Sequence, residues 1–260
     1  MNTYTENNIN FNIVMVLGDT HGNNMNIAPI LLQKYRLNNN KETKCILQVG
    51  DFGMGFTKLN GEKIYLKRLN DRLKKYNTYL YVIRGNHDDP QYFNDEVFKE
   101  KNGINNFSNI KLLKDHTLLS LKINGDFKKV YCIGGAYSID RSVRTQGDSY
   151  WSDEKFVLPS LDERNKIGEV DVVITHTRPT GVWPLEKLAI QHWIMKDSQL
   201  YYDLDWESGD MKTLFDTLKS NNTSFKHFYG HFHSSKVEYL GEFKHQCVGI
   251  DELVEVQFDI

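Results

Sequence analysis

The sequence predicts an α/β protein that forms a single domain over residues 1–260. Its first third alternates short apolar segments, which are typical of buried strands, with amphipathic helical segments. The second half is richer in strand-like segments, and groups of glycine, aspartate and histidine directly follow several of the predicted strands. No internal repeat, proline-rich linker or low-complexity segment divides the chain into two domains.

Three short segments are the predicted strands of the first third. Residues 13–17, 45–49 and 79–83 are apolar, rich in β-branched side chains and bounded by glycine or aspartate. The helix predicted between the first two strands has an apolar stripe formed by Ile27, Ile30, Leu31, Leu32 and Tyr35. The next helix has a stripe formed by Ile64, Leu66, Leu69, Leu73 and Tyr76. This order predicts a βαβαβ unit with a mostly parallel sheet.

The later part of the chain changes character. Residues 109–139 and 226–260 are rich in strand-forming side chains, and Asn124-Gly125 is a predicted hairpin turn. A further buried strand is predicted over residues 170–175. Together these segments predict a second, more antiparallel sheet.

Residues 140–168 and 178–209 are the least regular stretches of the sequence. They contain all four tryptophans of the chain, Trp151, Trp183, Trp193 and Trp206. Long loops on a compact scaffold often form the walls of a binding site. We therefore expect these two stretches to flank the functional site.

Composition and charge exclude several classes of function. The 32 lysine and arginine residues against 34 aspartate and glutamate residues leave a net charge of −2, so no general positive field favours long nucleic acid or an anionic membrane. The longest apolar segments are too short to cross a bilayer, and the polar N-terminus is unlike a secretory signal. Cys45, Cys132 and Cys247 are scattered without metal-binding spacing. These features predict a cytoplasmic protein with three buried, reduced thiols.

Five groups of polar residues follow predicted strands directly. They are Gly18-Asp19-Thr20-His21-Gly22, Gly50-Asp51-Phe52-Gly53, Gly85-Asn86-His87-Asp88, Thr175-His176 and Gly230-His231-Phe232-His233. The carboxyl ends of strands line the ligand crevice of an open α/β sheet, so we expect all five groups to converge on one sheet edge. Five of the nine histidines fall in these positions.

The chemistry of these groups is that of a two-metal site. Carboxylate and imidazole ligands suit borderline divalent ions such as manganese, iron and zinc, and no cysteine lies nearby to favour a softer ion. The Asp-x-His and His-x-His spacings place alternate side chains on one side of an extended segment, so that both can face one metal cluster. The sequence therefore predicts a metal site at the carboxyl ends of the strands.

The ordered set resembles the calcineurin-like metallophosphoesterases, whose pattern GDxH, GD, GNH[DE], H and GHxH appears here as GDTH, GDFG, GNHD, THTRP and GHFH. The resemblance runs from Leu17 to His233 and implies a four-layer α/β/β/α sandwich with two mixed β-sheets. It also implies two divalent metal ions, with manganese favoured and iron or zinc as alternatives. Their ligands would be Asp19, His21 and His233 for the first ion, Asn86, His176 and His231 for the second, and Asp51 bridging both.

The resemblance also implies a mechanism and its catalytic residues. A hydroxide held between the two ions would attack phosphorus in line, and His87 would protonate the leaving alkoxide as general acid. Asp88 is the local candidate for the carboxylate that orients His87. The second motif continues as Gly53-Met54-Gly55, whereas the serine/threonine phosphatase branch continues as GDxxDRG. This departure removes a carboxylate and an arginine and disfavours a protein phosphatase.

Substrate contacts are expected from three segments. The stretch from Gly134 to Arg144 reads GGAYSIDRSVR and resembles a segment of bacterial and phage members of the family. The residues expected to contact substrate are Arg141, Arg144 and Arg178, which would bind phosphate, and Tyr137 or Trp151, which would stack on a base. The alternative interpretation is that these arginines are solvated and that the aromatic side chains pack within the loops.

The predicted function is hydrolysis of a phosphomonoester or a small phosphodiester by a metal-dependent phosphatase or phosphodiesterase. The substrate would be a small phosphorylated molecule such as a nucleotide, and the sequence leaves the oligomeric state open. A nucleotide or cyclic-nucleotide phosphodiesterase and a nuclease are alternatives. A non-catalytic scaffold of the same fold is the alternative from another class, and it is disfavoured because all seven ligand positions are filled.

Overall fold

Two β-sheets lie at the centre of the structure, a computed structural model that describes residues 1–27, 29–30, 42–184 and 190–258. The strands, in chain order, are β1 (Asn2–Phe11), β2 (Ile13–Leu17), β3 (Lys44–Gln48), β4 (Thr78–Val82), β5 (Ile110–Leu112), β6 (Thr117–Ile123), β7 (Asp126–Ile133), β8 (Val172–Thr175), β9 (Lys226–Tyr229), β10 (Lys236–Leu240), β11 (Phe243–Cys247) and β12 (Leu253–Glu255). The α-helices within the described residues are α1 (Leu59–Lys75), α2 (Gln91–Asn94), α3 (Glu96–Asn102), α4 (Leu161–Asn165), α5 (Gln191–Lys196) and α6 (Gln199–Asn221).

The smaller sheet confirms the parallel strands predicted for the first third of the chain. Its five strands lie in the order β12-β2-β3-β4-β5. The pairs β2·β3, β3·β4 and β4·β5 are parallel, and β12 joins the edge antiparallel to β2. Helix α1 connects β3 to β4 and buries the predicted residues Leu66, Leu69 and Leu73 against the sheet. Of the stripe predicted for the preceding helix, Ile27 is buried, whereas Leu31, Leu32 and Tyr35 lie outside the described residues.

The larger sheet is mixed, with two antiparallel and four parallel strand pairs, so it is only slightly more antiparallel than the smaller sheet. Its strand order is β1-β6-β7-β8-β9-β11-β10. The antiparallel pairs are the hairpins β6·β7 and β10·β11, whereas β1·β6, β7·β8, β8·β9 and β9·β11 are parallel. Strands joined by a short turn must run antiparallel, whereas parallel pairing requires a longer connection. The predicted turn is present, with φ of 50° at Asn124 and 100° at Gly125, as a two-residue hairpin requires.

The two sheets pack face to face between helices, as the resemblance implied. Alternate side chains of β2 point to opposite faces, so that Val14 and Val16 enter the core between the sheets. Met15 and Leu17 point outwards and pack with the apolar side chains of α1. On the opposite side of the molecule, α6 covers the outer face of the larger sheet through Met211, Leu214, Phe215 and Leu218. The order of layers is α/β/β/α.

Two elements differ from the sequence expectation. Strand β1 lies at the edge of the larger sheet with mainly exposed polar side chains, so its pattern carries no apolar signal. Residues 178–209 contain α5 and the first half of α6, although we expected irregular structure there. The buried face of α6 includes Asp203 and Glu207, and these charged side chains interrupt the apolar stripe that identifies a helix.

The composition led us to expect buried thiols and apolar segments too short to cross a membrane. Cys45, Cys132 and Cys247 are buried free thiols, and burial raises the pKa of each above its usual value. Among the residues that the structure describes, no helix combines the length and the apolar character needed to cross a membrane.

Candidate metal centre

The five polar groups meet between the two sheets. Asp19, Asp51 and Asn86 follow β2, β3 and β4 of the smaller sheet, whereas His176 and His231 follow β8 and β9 of the larger sheet. The expectation that one sheet edge carries all five groups is therefore wrong. The groups converge because the sheets pack face to face with the carboxyl ends of these strands on the same side.

The first cluster contains Asp19, His21, Asp51 and His233. One potential ligand atom from each residue lies within 4.8 Å of those from the other three. The Nε2 atoms of His21 and His233 are 2.9 Å apart, and Asp19 Oδ2 lies 3.3 Å from His233 Nε2. Asp19 Oδ1 is buried without a hydrogen-bond partner among the described residues. Facing imidazole nitrogens beside an unpartnered carboxylate oxygen fit a divalent cation.

The second cluster contains Asn86, His176 and His231. Asn86 Oδ1 lies 2.9 Å from both His176 Nε2 and His231 Nδ1, so one amide oxygen and two imidazole nitrogens point at a common position. Asp51 belongs to both clusters, because its Oδ1 lies 3.4 Å from His176 Nε2 and its Oδ2 lies 3.9 Å from His21 Nδ1. This is the placement that a carboxylate bridging two ions requires.

The electrostatics of Asp51 and His176 also suit a cation. Burial alone would raise the pKa of Asp51, but the surrounding imidazoles of His176, His87 and His21 hold it well below its usual value. Burial would lower the pKa of His176, yet the neighbouring Asp51 carboxylate raises it to about 9. Without a metal, His176 therefore carries a proton as the partner of Asp51. A bound cation would replace that proton, because metal ligation requires neutral imidazole.

Several of these side chains are held by unusual backbone. His21, Asp51, His231 and His233 have φ values of 44°, 53°, 66° and 51°, in the left-handed region that residues with a Cβ rarely adopt. Such conformations cluster at functional sites, where the surrounding structure maintains them.

Two glycines of the motifs are required by close approach. A Cβ on Gly85 would lie 2.0 Å from Asp51 Oδ1, and a Cβ on Gly230 would lie 2.0 Å from Asp19 Oδ1. Any side chain at these positions would displace a carboxylate of the cluster. These contacts give the physical reason for the glycine that precedes Asn86 and the glycine that precedes His231.

His87 lies beside the clusters and contacts Arg144. Its backbone N–H donates to Asp51 Oδ1 at 2.8 Å, and its Nε2 lies 3.9 Å from Asp51 Oδ2. Arg144 Nη1 and Nη2 lie 2.5 Å and 3.2 Å from the two ring nitrogens. Burial, together with the positive charge of Arg144, lowers the pKa of His87 to about 4 despite the opposing effect of Asp51. The imidazole of the free protein is therefore neutral near pH 7.

Asp88 does not orient His87, which corrects the sequence expectation. Its carboxylate accepts four backbone N–H groups, those of Phe52, Gly53, Met54 and Gly85, at 2.6–3.1 Å. Three of these donors belong to the loop that follows Asp51, and the fourth belongs to the loop that carries Asn86. Asp88 is fully buried and joins these two loops instead of contacting the His87 ring.

We expect Asp88→Asn to lower the free energy of unfolding by about 2–4 kcal/mol, because an amide turns donors towards buried N–H groups and leaves some of them unpaired. Urea denaturation of the two proteins measures this change. Asp89→Asn is the matched control, since the Asp89 carboxylate accepts one backbone N–H, that of Gln91, and its replacement should cost less than about 1 kcal/mol. Equal stabilities of the Asp88 and Asp89 variants would contradict the proposed role.

Ser138 and Glu154 belong to the site, although the sequence did not indicate them. Asn86 Nδ2 donates to Ser138 Oγ at 2.9 Å, and Ser138 donates through Oγ and its backbone N to Glu154 at 2.7 Å and 2.6 Å. This chain of bonds orients the amide so that Asn86 Oδ1 faces the imidazoles. Burial raises the pKa of Glu154 to about 8. Ser138 lies within the GGAYSIDRSVR segment, but no local pattern marks Glu154 as its partner.

The expected substrate contacts divide into two groups. Arg141 pairs with Asp197 and Asp203 at 2.6 Å each, and its guanidinium lies 5.5 Å from the centre of the Tyr137 ring. Neither Arg141 nor Tyr137 is among the described residues that line the cavity at the metal centre, so the structure does not bring these two expected contacts to the site. Their role here is to hold the 141–143 segment against the start of α6.

A cavity of about 530 Å³ opens at the metal centre. Arg144 and Arg178, the other two expected phosphate ligands, line it together with Asp51, Asn86 and His231. Of the four tryptophans, Trp183 and Trp193 contribute to its wall. Trp151 is instead buried, and Trp206 is 66% exposed on α6.

Comparison with known proteins places the chain among phosphoesterases. The family model described as calcineurin-like phosphoesterase matches residues 13–235. One solved crystal structure, 13% identical, has a TM-score of 0.50 with 95% of this chain and 98% of that chain covered. A protein serine/threonine phosphatase from Saccharomyces cerevisiae is 13% identical with a TM-score of 0.36, covering 96% of this chain and 71% of its own.

A cold-active protein-tyrosine phosphatase of a psychrophilic Shewanella is 14% identical with a TM-score of 0.33, covering 94% of this chain and 72% of its own. No curated protein matches the sequence significantly. The family model spans every strand-end group of the metal centre, from Asp19 to His233. The chain therefore belongs to the calcineurin-like phosphoesterase family.

Proposed function

We propose that the protein hydrolyses a phosphomonoester or a small phosphodiester with the aid of two divalent metal ions. The observation that carries the proposal is the convergence of seven carboxylate, imidazole and amide side chains in two clusters that share Asp51. Asp19, His21 and His233 would hold one ion, Asn86, His176 and His231 the other, and Asp51 both.

The donor set suits manganese, iron or zinc, with manganese our first choice. When bound, such ions polarise phosphoryl oxygens and activate water for in-line displacement. The remaining steps fall to side chains of the chain itself. Arg144 and Arg178 line the cavity and supply positive charge for the phosphate oxygens.

His87 is our candidate for the general acid. Its ring lies between Asp51 and Arg144, with its centre 5.2 Å from that of the His21 ring. A phosphate anion bound by Arg144 would offset the guanidinium charge that now lowers the pKa of His87, and would favour the protonated imidazole. The protonated ring can then donate to the oxygen of the departing alcohol.

A nucleotide or cyclic-nucleotide phosphodiesterase is the second candidate, because the cavity continues from the metal centre to an apolar wall. A nuclease acting on long strands is disfavoured by the net charge of −2. A non-catalytic scaffold is disfavoured because both ligand clusters are complete and His87 lies beside them.

The test compares hydrolysis of 4-nitrophenyl phosphate with that of bis(4-nitrophenyl) phosphate by manganese-supplemented protein, with metal content measured on the same sample. We expect turnover that depends on about two metal ions per chain. The ratio of the two rates separates a phosphatase from a phosphodiesterase. Absence of both bound metal and turnover would overturn the proposal in favour of the scaffold.

A further inference from the structure

The lining of the cavity at the metal centre is of two chemical kinds. Metal-site residues, among them Asp51, Asn86 and His231, form one part, which we call the metal end. Apolar side chains form the adjoining part, the apolar end, whose Phe232 ring lies 4.9 Å from the His231 ring. The apolar end is lined by Ile139, Trp183, Ile190, Trp193, Leu204 and Phe232. A volume of about 530 Å³ is typical of sites for small organic ligands, which use such apolar walls for binding and a few polar groups for orientation.

Positive charge lies where the two ends meet. Arg178 donates from Nη1 to Pro179 O and from Nη2 to Pro184 O, at 3.3 Å and 2.5 Å, and its guanidinium lies 5.9 Å from the Phe232 ring centre. Within the described part of the chain it makes no ion pair with a carboxylate, so its charge stays available to a phosphate. Arg144 also lines the cavity, where it contacts His87 and pairs with Asp140.

The two tryptophans of the apolar wall are held in place. The backbone N–H of Trp183 donates to Glu238 at 2.6 Å, and its backbone carbonyl accepts the Tyr229 hydroxyl at 2.8 Å. Its ring packs edge-on against Phe232, with 6.2 Å between ring centres. Trp193 lies in α5 with the Lys196 ammonium 4.7 Å from its ring centre. Both rings are half-buried, so part of each surface remains open to a ligand.

Polar side chains complete the cavity. Thr177, Glu207 and Ser208 line it near the apolar wall. The Glu207 carboxyl accepts the backbone N–H of Tyr137 at 2.9 Å and the Thr177 hydroxyl at 3.2 Å, which fixes its orientation. These groups can donate or accept hydrogen bonds at the edge of a planar ligand. Oxygen atoms that already take part in one bond can accept another, and a purely aliphatic ligand would not use this remaining capacity.

We propose that the apolar end of the cavity binds the aromatic base of a nucleoside phosphate while the phosphate occupies the metal end. The proposal rests on the proposed function for the placement of the phosphate. Tryptophan rings favour flat aromatic groups, because stacking on a base is a strong and sequence-tolerant contact. The polar groups beside the wall suit the ring nitrogens and exocyclic groups of a base, and Arg144 and Arg178 suit the phosphate.

The test compares adenosine 5′-monophosphate with ribose 5-phosphate, two phosphomonoesters that differ only in the base. Binding is measured by calorimetry on metal-free protein in the presence of a chelator, where no turnover intervenes. Hydrolysis by the manganese-loaded protein is measured in parallel. We expect the adenine nucleotide to bind more tightly, and Trp193→Ala to reduce that preference by about 5- to 150-fold.

Trp206→Ala is the matched control, since Trp206 is exposed on α6 and does not line the cavity. It should keep the wild-type preference. Equal binding of the two ligands, or a preference that Trp193→Ala leaves unchanged, would overturn the base pocket even if nitrophenyl esters are hydrolysed. A base preference that depends on Trp193 in a protein that hydrolyses no ester would uphold the pocket and overturn the proposed function.

Discussion

Asp51→Asn is expected to reduce hydrolysis of every phosphoester by more than about 100-fold, since loss of even the outer partners of a metal site costs about 10- to 100-fold. The carboxylate presents one oxygen to each cluster, with Oδ1 towards His176 and Oδ2 towards His21. An asparagine of the same shape offers one oxygen and no charge. It therefore cannot serve two cations at once.

The same substitution should leave the fold intact. The amide oxygen of the introduced asparagine can still accept the His87 backbone N–H that Asp51 accepts at 2.8 Å, so the loop retains that bond. Turnover, metal content and thermal unfolding are measured together on the variant and on Asp216→Asn, a control in an exposed ion pair with Lys212. Activity that survives in the Asp51 variant would refute the two-metal assignment.

His87→Gln should slow hydrolysis of an alkyl phosphate by about 10²- to 10⁴-fold, the usual contribution of a general acid. The loss should be much smaller for 4-nitrophenyl phosphate, because nitrophenolate departs as a stable anion and needs no proton. His87 contacts Asp51 through its backbone N–H, which glutamine retains. The variant therefore separates the proton donor from the structure of the metal centre.

The measurement is kcat for both substrates with wild-type and variant protein at equal metal content. His192→Gln is the control, because His192 is an exposed histidine whose ring lies tilted beside that of Trp193, 4.4 Å between centres, and outside the metal centre. An equal loss on both substrates would show that His87 acts by another route, such as the position of the phosphate or of Arg144. Retained activity on the alkyl phosphate would exclude His87 as the acid.

Local patterns in the sequence were sufficient for the buried strands of the first third and for the strand ends that carry the metal centre. Residues 13–17, 45–49 and 79–83 are recognisable as strands because burial on both faces requires continuous apolar segments. Asp19, Asp51 and Asn86 follow these strands directly, so their shared location depends only on strand direction. The turn at Asn124-Gly125 was equally clear, because its positive φ values favour those two residue types.

Those local patterns could not predict contacts between segments that are distant in the sequence. Three hydrogen bonds join Asp88 to the loop after Asp51, and each spans 34 to 36 residues of sequence. The residues around Asp88 do not show whether its carboxylate binds that loop or orients His87. The sequence likewise predicted that Arg141 binds phosphate, but in the folded chain its guanidinium pairs with Asp203 of α6. Each assignment depends on packing between elements.

Residue type and spacing along the strands were enough to predict which polar side chains converge and the order of the first strands, and the ordered motifs carried the resemblance to the family. Packing between distant elements was needed to establish that two sheets share the site, that Ser138 and Glu154 orient Asn86, and that Trp183 and Trp193 line the cavity. The difference arises because strand ends are specified by short-range backbone geometry, whereas the partners of a side chain are specified by which surfaces the folded chain buries together.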